Sequence, residues 1–461
     1  MLSRNNGSES VLLRTTTSIC PRCLTRLEAY IVKKGEKVYL EKTCNSHGHF
    51  RTIIWNGLPT YESWGDVKLP SQPTGCLTQV DKGCPYDCGL CPQHRQHSCC
   101  VLLEVTQRCN LICPVCYASA GKTTSPDPSL EQVREWFDLL LNCGGPFNIQ
   151  LSGGEPTLRD DLPAIIETGK AKGFSFFQLN TNGLRLAADK DYVFRLKTAG
   201  LDCVFLQFDG VTDEPYRKLR GKALLAAKLR AIENCADVGL GVVLVPTLVP
   251  GVNEDEIGVI LKFALDSLPV IRGVHFQPIS YFGRYGFPPE RRLTIPDILL
   301  AIEEQTEGLM KINDFNPGSA ENAYCSFNGK FLLLPNKEVH SLKNKTGCSC
   351  QVPKVAAESA RKARYYVARH WGSSAEEACC STATRENDQN AGSLDSFLYR
   401  LKHYTLAVSC MVFQDAWNLD LERLRDCYIH VVSSDRRIIP FCAYNLTDLS
   451  GRALHRRQVQ G

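Results

Sequence analysis

Three cysteines at C-x3-C-x2-C spacing, Cys109-Asn-Leu-Ile-Cys113-Pro-Val-Cys116, constrain this chain more than any other stretch. They follow directly on the apolar run 101–106, which reads as a buried strand. Three thiolates on so tight a loop suit three corners of a cubane iron–sulfur cluster, because thiolate is the usual ligand for such clusters. A closed structural site takes four protein ligands, whereas a catalytic one keeps a position open. The missing fourth ligand therefore predicts an open iron that can take a substrate. The bland alternatives are a zinc knuckle or buried free thiols.

Further cysteine sets lie upstream. The phrase Gly83-Cys84-Pro-Tyr-Asp-Cys88-Gly-Leu-Cys91-Pro92 repeats C-x3-C-x2-C, and Cys99 and Cys100 follow shortly after. One of those two completes a four-thiolate set for a second cubane cluster, and Cys99 is expected because Cys100 abuts the apolar strand. Nearer the start, Cys20-Pro-Arg-Cys23 and Cys44-Asn-Ser-His47 have the spacing of a closed tetrahedral site, with residues such as 37–41 reading as hairpin strands. His49 could replace His47, and a mononuclear iron and a structural zinc are both compatible. Residues 61–80 read as an irregular linker.

The 23 cysteines decide the redox setting: twelve fall in residues 1–116 and only three in 117–324. Such clustering, with no apolar leader at the N-terminus, points to metals in a cytoplasmic protein and not to a disulfide framework. A net charge of +4 on 461 residues gives no sign of a nucleic-acid partner, and no apolar run is long enough to cross a bilayer.

Residues 101–280 alternate strand and helix. Strand-like runs fall at 101–106, 147–151, 175–180, 203–208, 241–246 and 273–278, with amphipathic stretches such as 130–141 between them. Six β–α units imply a parallel sheet partly closed into a barrel. Ligands bind at the carboxyl ends of such strands. Cys109–Cys116 follows strand one, Gly153-Gly154-Glu155-Pro156 strand two and Asn180-Thr-Asn182 strand three. Gln207-Phe-Asp209-Gly210 follows strand four, Val249-Pro-Gly251 strand five and Gln277-Pro278 strand six.

In this order the motifs resemble the radical S-adenosylmethionine (radical SAM) enzymes. The phrase from Gly83 to Cys116 is similar to the group that includes archaeal dihydropterin dimethyltransferase and tetraether lipid synthase. The resemblance implies a [4Fe–4S] cluster on Cys109, Cys113 and Cys116 as the catalytic centre, with Gly153, Gly154 and Glu155 at the methionine amino group of SAM. It implies Asn180 or Asn182 and Gln207 or Asp209 at the ribose and carboxylate region, and Arg220 facing the SAM carboxylate. It further implies a transferase acting on a small molecule or a lipid, with an electron donor such as flavodoxin or ferredoxin.

The resulting fold class is α/β: a partial (β/α)6 radical SAM barrel with an N-terminal cysteine-rich region and a C-terminal α+β extension. The expected divisions are a mononuclear metal module at 1–65, an auxiliary cluster segment at 66–100, the barrel at 101–315 and the extension at 316–461. In the extension, residues 358–371 read as a basic helix and 373–393 as a polar linker. Cys325, Cys427 and Cys442 form a possible third cluster set, for which Cys410, Cys348 and Cys350 compete as fourth ligand. Tyr281-Phe282-Gly-Arg284-Tyr285-Gly-Phe287, beside the expected site, mixes aromatic contacts with one charge and leans the substrate toward a small molecule. Two other functions are weighed: an activase that installs a radical on a partner protein, and an iron–sulfur electron carrier.

Overall fold

The computed structural model describes residues 10–65, 68–121, 123, 126–286, 291–343, 354–372 and 394–456. Cys348, Cys350, Phe287 and the linker at 373–393 lie outside them. The chain opens with an antiparallel meander of β1 (Ser10–Ile19), β2 (Arg26–Lys34), β3 (Lys37–Cys44) and β4 (Gly48–Asn56). The start of segment 61–80 is packed against the meander and the C-terminal part. Trp55, Tyr61 and Trp64 are buried together, and Trp64 Nε1 donates to the carbonyl of Ala323 at 3.0 Å.

The barrel runs β5 (Cys100–Thr106), α1 (Leu130–Asn142), β6 (Asn148–Gly153), α2 (Leu162–Ala171), β7 (Phe177–Thr181), α3 (Lys190–Thr198) and β8 (Cys203–Gln207). It continues through α4 (Asp213–Arg220), α5 (Leu225–Asp237), β9 (Gly241–Val245), α6 (Ile257–Asp266) and β10 (Ile271–Pro278). Adjacent strands from β5 to β10 are all parallel. Local chemistry starts α1. Ser129 accepts from the amide of Gln132 while the Gln132 side chain reaches back to the Ser129 amide, a capping box. The helix then buries Val133, Trp136, Phe137 and Leu140 against the strands, each large apolar side chain contributing about 1.5–3 kcal/mol.

Successive side chains on a strand point to opposite faces, and here that alternation separates core from cavity. Val101, Leu103 and Val105 of β5 pack in the main core, while Leu102 lines a central cavity. Ile149 and Leu151 of β6, and Phe177 and Leu179 of β7, likewise face the helices. Their neighbours Asn148, Gln150, Gln178 and Asn180 face the cavity.

The C-terminal part continues the same sheet. After α7 (Ile295–Gln305) come β11 (Ser326–Leu333), α8 (Ala356–Trp371), α9 (Leu394–His403), β12 (Thr405–Met411), β13 (Ile429–Val432) and β14 (Ile438–Pro440). Strand β12 adds in parallel to β10, with Phe276 opposite Cys410, and β13 adds in parallel to β5, with Cys100 opposite Ile429. Both open edges of the six-stranded barrel are thus covered, and β11 and β14 flank them antiparallel. The meander docks on the loop between β12 and β13. Lys42 donates to the carbonyl of Ala416 at 2.7 Å, Thr16 to Asp420 at 2.6 Å and Thr52 to the carbonyl of Trp417 at 3.1 Å.

Candidate active site

Inside the barrel lies a cavity of about 260 Å³. Cys109, Cys113 and Cys116 line it at the carboxyl ends of the strands, and Val367 and Trp371 of α8 line it as well. Burial raises the Cys109 thiol to about 12, and burial also raises Cys113 against the pull of Arg220. Buried thiols of this kind keep their protons unless a cation supplies compensating charge. A donor set of three thiols facing one cavity therefore fits a multi-iron cluster with an exposed corner.

The loop that carries these thiols is braced from three sides. Arg284 Nε donates to the carbonyl of Cys113 at 2.6 Å and its Nη2 to Ala120 at 3.0 Å, while the backbones of Arg284 and Cys116 pair at 2.8 and 2.9 Å. The single charge in the aromatic stretch after strand six is thus directed at the cysteine loop. Of its neighbours, Phe282 lines the cavity, while Tyr281 packs edge-on to Tyr285 in a separate apolar cluster. On the second side Asn182 Nδ2 donates to Asn110 at 2.7 Å. On the third, Arg220 Nη1 donates to the carbonyl of Val115 at 3.0 Å.

Arg220 and Asp209 form a buried two-pronged pair, Nε to Oδ2 at 2.7 Å and Nη2 to Oδ1 at 2.8 Å. Asp209 also accepts from the amide of Thr247 at 3.1 Å and from Gln207. Glu155 is equally engaged, accepting from the Thr157 and Thr181 hydroxyls at 2.6 Å each and from the amides of Thr157 and Asn182 at 3.1 and 2.7 Å. Asn180 Nδ2 meets Ser152 Oγ at 3.3 Å. The structure therefore brings Glu155, Asn182, Gln207, Asp209 and Arg220 into one network beneath the cysteine loop. Gly153 and Gly154 serve close backbone packing: a Cβ on Gly153 would collide with the carbonyl of Thr106, and one on Gly154 with that of Arg108.

Sequence reasoning missed several members. Lys228, fully buried, donates to the carbonyl of Asn182 at 2.6 Å and to Gln207 Oε1 at 2.8 Å, and burial pulls it down to about 7. The readable signal was a lysine among the core-facing positions of α5, beside Ala231, Ile232 and Cys235. Asn253 donates to the carbonyls of Asp209 and Thr247 at 2.9 Å each and shapes the loop after β9. Gln150 and Gln178, bonded to each other at 3.0 Å across the cavity wall, were visible as polar residues at alternate positions of apolar strands.

The other cysteine sets fall in distinct places. Cys20, Cys23, Cys44 and His47 place one ligand atom each within 4.8 Å of one another. The edges of 3.9 Å between the Cys23 and Cys44 sulfurs and 3.5 Å from Cys44 to His47 Nδ1 match a tetrahedron of metal–sulfur bonds of about 2.3 Å. His49 sits outside this group with its Nδ1 3.3 Å from the Thr43 hydroxyl. Cys84, Cys88 and Cys91 line a small recess with Leu424, Arg425 and Pro440. Cys99 is not with them; it lines the central cavity beside Cys100. Cys325, Cys427 and Cys442 are mutually close: burial first, then Cys427 and Cys325, raise the Cys442 thiol. Cys410 packs in the apolar core.

A mostly parallel partial barrel, a three-thiol loop after its first strand and a Gly-Gly-Glu-Pro turn after its second define a radical SAM enzyme. Residues 103–264 match the Radical SAM superfamily, and residues 12–56 match the HMPTM N-terminal zinc ribbon domain. The chain is 35% identical to 7,8-dihydro-6-hydroxymethylpterin dimethyltransferase of Methanocaldococcus jannaschii over 97% of its own length and 95% of that protein's. It belongs to the radical SAM family of that methanogen protein. It is also 34% identical to a probable GTP 3',8-cyclase of Methanopyrus kandleri, over 47% of this chain and 67% of that one. Streptococcus suis SuiB, solved with its precursor peptide SuiA, is similar at a TM-score of 0.39 and 13% identity over 46% of each chain. The family implies a [4Fe–4S] cluster and SAM. No helix among the described residues is long and apolar enough to cross a membrane.

Proposed function

We propose that this enzyme functionalises an unactivated C–H bond, by methylation, alkylation or C–C bond formation, on a compact, polar-edged ring compound of the pterin type. The observation that carries the reading is the cavity wall. Asn148, Gln150, Gln178, Asn180 and Gln207 present carboxamides along one side, and Leu102, Met411, Phe413, Ile429 and Phe441 present apolar surface. A flat ring needs such convergent donors and acceptors for its edge, because polar groups are costly to bury unpaired, and its faces need apolar contact. The convergent carboxamides favour such a ring over a lipid chain, which offers no polar edge along its length to pair with them. The apolar side keeps a lipid as the second reading, and the pterin named for the methanogen relative supports the first.

In this reading Cys109, Cys113 and Cys116 hold the cluster, which with SAM supplies a 5′-deoxyadenosyl radical. Arg284, Asn182 and Arg220 fix the thiol loop, so that the loop geometry does not depend on the cluster alone. Gln207, Asn180 and the network around Glu155 and Asp209 set the SAM end of the cavity. Phe282, Phe413 and Phe441 exclude water from the carbon radical, and the carboxamides orient the ring. Cys84, Cys88 and Cys91 contribute to a second cluster, and Cys325, Cys427 and Cys442 to a third. Cys20, Cys23, Cys44 and His47 hold a mononuclear zinc or iron. A flavodoxin or ferredoxin supplies electrons.

Anaerobic incubation of the reduced protein with SAM and 7,8-dihydro-6-hydroxymethylpterin tests this. The expected result is 5′-deoxyadenosine formed in step with a heavier pterin product by mass spectrometry. Stimulation by a phospholipid and not by the pterin would move the assignment to a lipid. Absence of SAM cleavage under all conditions would sink the radical reading.

A further inference from the structure

The recess lined by Cys84, Cys88 and Cys91 has three thiols in place and lacks the partner expected for it. Cys99 does not reach it: its surroundings are Cys100, Glu321 and Arg364, and its amide is held by the carbonyl of Tyr428 at 2.8 Å. Another cysteine stands beside it. The segment 74–78 touches the Cys88–Cys91 turn and is anchored on both sides of Cys76. On one side the amide of Leu77 donates to the carbonyl of Gly89, within the Cys88–Cys91 turn, at 3.2 Å. Thr78 there occupies the space that a Cβ on Gly89 would need. On the other side Gly75 packs against Cys143, and Thr74 against Gly144.

Between these anchors Cys76 lies within electrostatic reach of Cys91. It is exposed, whereas Cys84, Cys88 and Cys91 are buried. Cys143, also near Cys76, ends α1 and packs in the main core, a sufficient role for a buried cysteine.

We infer that Cys76, and not Cys99, is the fourth ligand of the cluster held by Cys84, Cys88 and Cys91. This rests on the reading of that set as a cluster. Two consequences follow from the placement. One edge of the cluster lies at the surface, where a one-electron donor protein can reach it. Cys99 and Cys100 are left as free thiols in the wall of the central cavity.

The test uses the full chain, anaerobically reconstituted, with Cys109, Cys113 and Cys116 replaced by Ala so that the remaining clusters dominate the spectra. In that background Cys76→Ala is expected to add a three-iron EPR signal after mild oxidation. Added 2-mercaptoethanol is expected to bind the opened iron and reduce that signal. Cys99→Ala is expected to match the parent spectrum. A Cys76→Ala spectrum identical to the parent, or a three-iron signal from Cys99→Ala, would overturn the assignment. Loss of Cys84, Cys88 and Cys91 together without loss of iron would instead remove the cluster itself, and the assignment with it.

Discussion

Two regions of this molecule present cysteine to metal in opposite ways. In the ribbon, Cys20, Cys23, Cys44 and His47 converge within 4.8 Å on a point between two hairpin turns. A Thr25 hydroxyl pulls Cys23 down to about 6, while burial lifts Cys20 to about 11. In the barrel, Cys109, Cys113 and Cys116 do not converge on a point; they line one end of a cavity large enough for organic ligands. Their loop is held by hydrogen bonds to Arg284, Asn182 and Arg220. Four convergent ligands saturate a metal, and three ligands facing a cavity leave a position for chemistry. The ribbon is a fastener that carries the loop 414–420, and the barrel loop is a workplace.

The largest effect expected from breaking this contrast comes from replacing Cys109, Cys113 and Cys116 together with Ala. SAM cleavage should fall to background while the ribbon metal, measured by elemental analysis, stays bound. The reverse variant, Cys20, Cys23 and Cys44 to Ala, should release the ribbon metal.

A second effect concerns the brace under the barrel loop. Replacing Arg220 by Met leaves Asp209 buried without its partner, which typically costs about 3–5 kcal/mol. Urea unfolding should show a loss of that size, together with a lower iron content. A variant as stable as the parent would mean that Asp209 finds another cation, with Lys228 the nearest candidate.

A smaller effect is set by acid. Burial lowers His275, in the cavity wall, and His94, beside the recess of Cys84, to about 4 from an ordinary value near 6.5. Between those values the unfolded chain binds protons that the folded one does not, so stability must fall as pH drops from 6.5 toward 4. Each group contributes ~3 kcal/mol once the fall is complete. His275→Gln should flatten the pH dependence of the urea midpoint over this window, and an unchanged dependence would contradict the burial argument.

Much of the barrel was legible because each strand is a short apolar-rich run set between amphipathic stretches, near-continuous in β8 and β9 and alternating with cavity-facing carboxamides in β6 and β7. The run expected at 203–208 is Cys203–Gln207, and that at 241–246 is Gly241–Val245. The joining of β12 and β13 to the barrel edges was not legible, because parallel pairing between residues 276 and 410 or 100 and 429 leaves no local pattern. The thiol loop was readable from spacing alone. Its bracing was not: Arg284 lies 171 positions from Cys113, and its charge resembled a substrate contact. Cys99 was a choice between sequence neighbours. Spacing counts residues, but only folding decides that Cys99 faces the central cavity and that the segment around Cys76 touches the Cys88–Cys91 turn.

The contrast between a saturated and an open metal site is tested most directly by adding SAM to the reduced protein. The sample is a variant with Cys84, Cys88 and Cys91 replaced by Ala, so that the barrel cluster is seen more cleanly, followed by EPR and by the absorption of the ribbon metal after cobalt substitution. SAM is expected to shift the cluster EPR signal and to leave the cobalt bands of the ribbon unchanged. A cluster spectrum indifferent to SAM, or cobalt bands that move with it, would contradict the account.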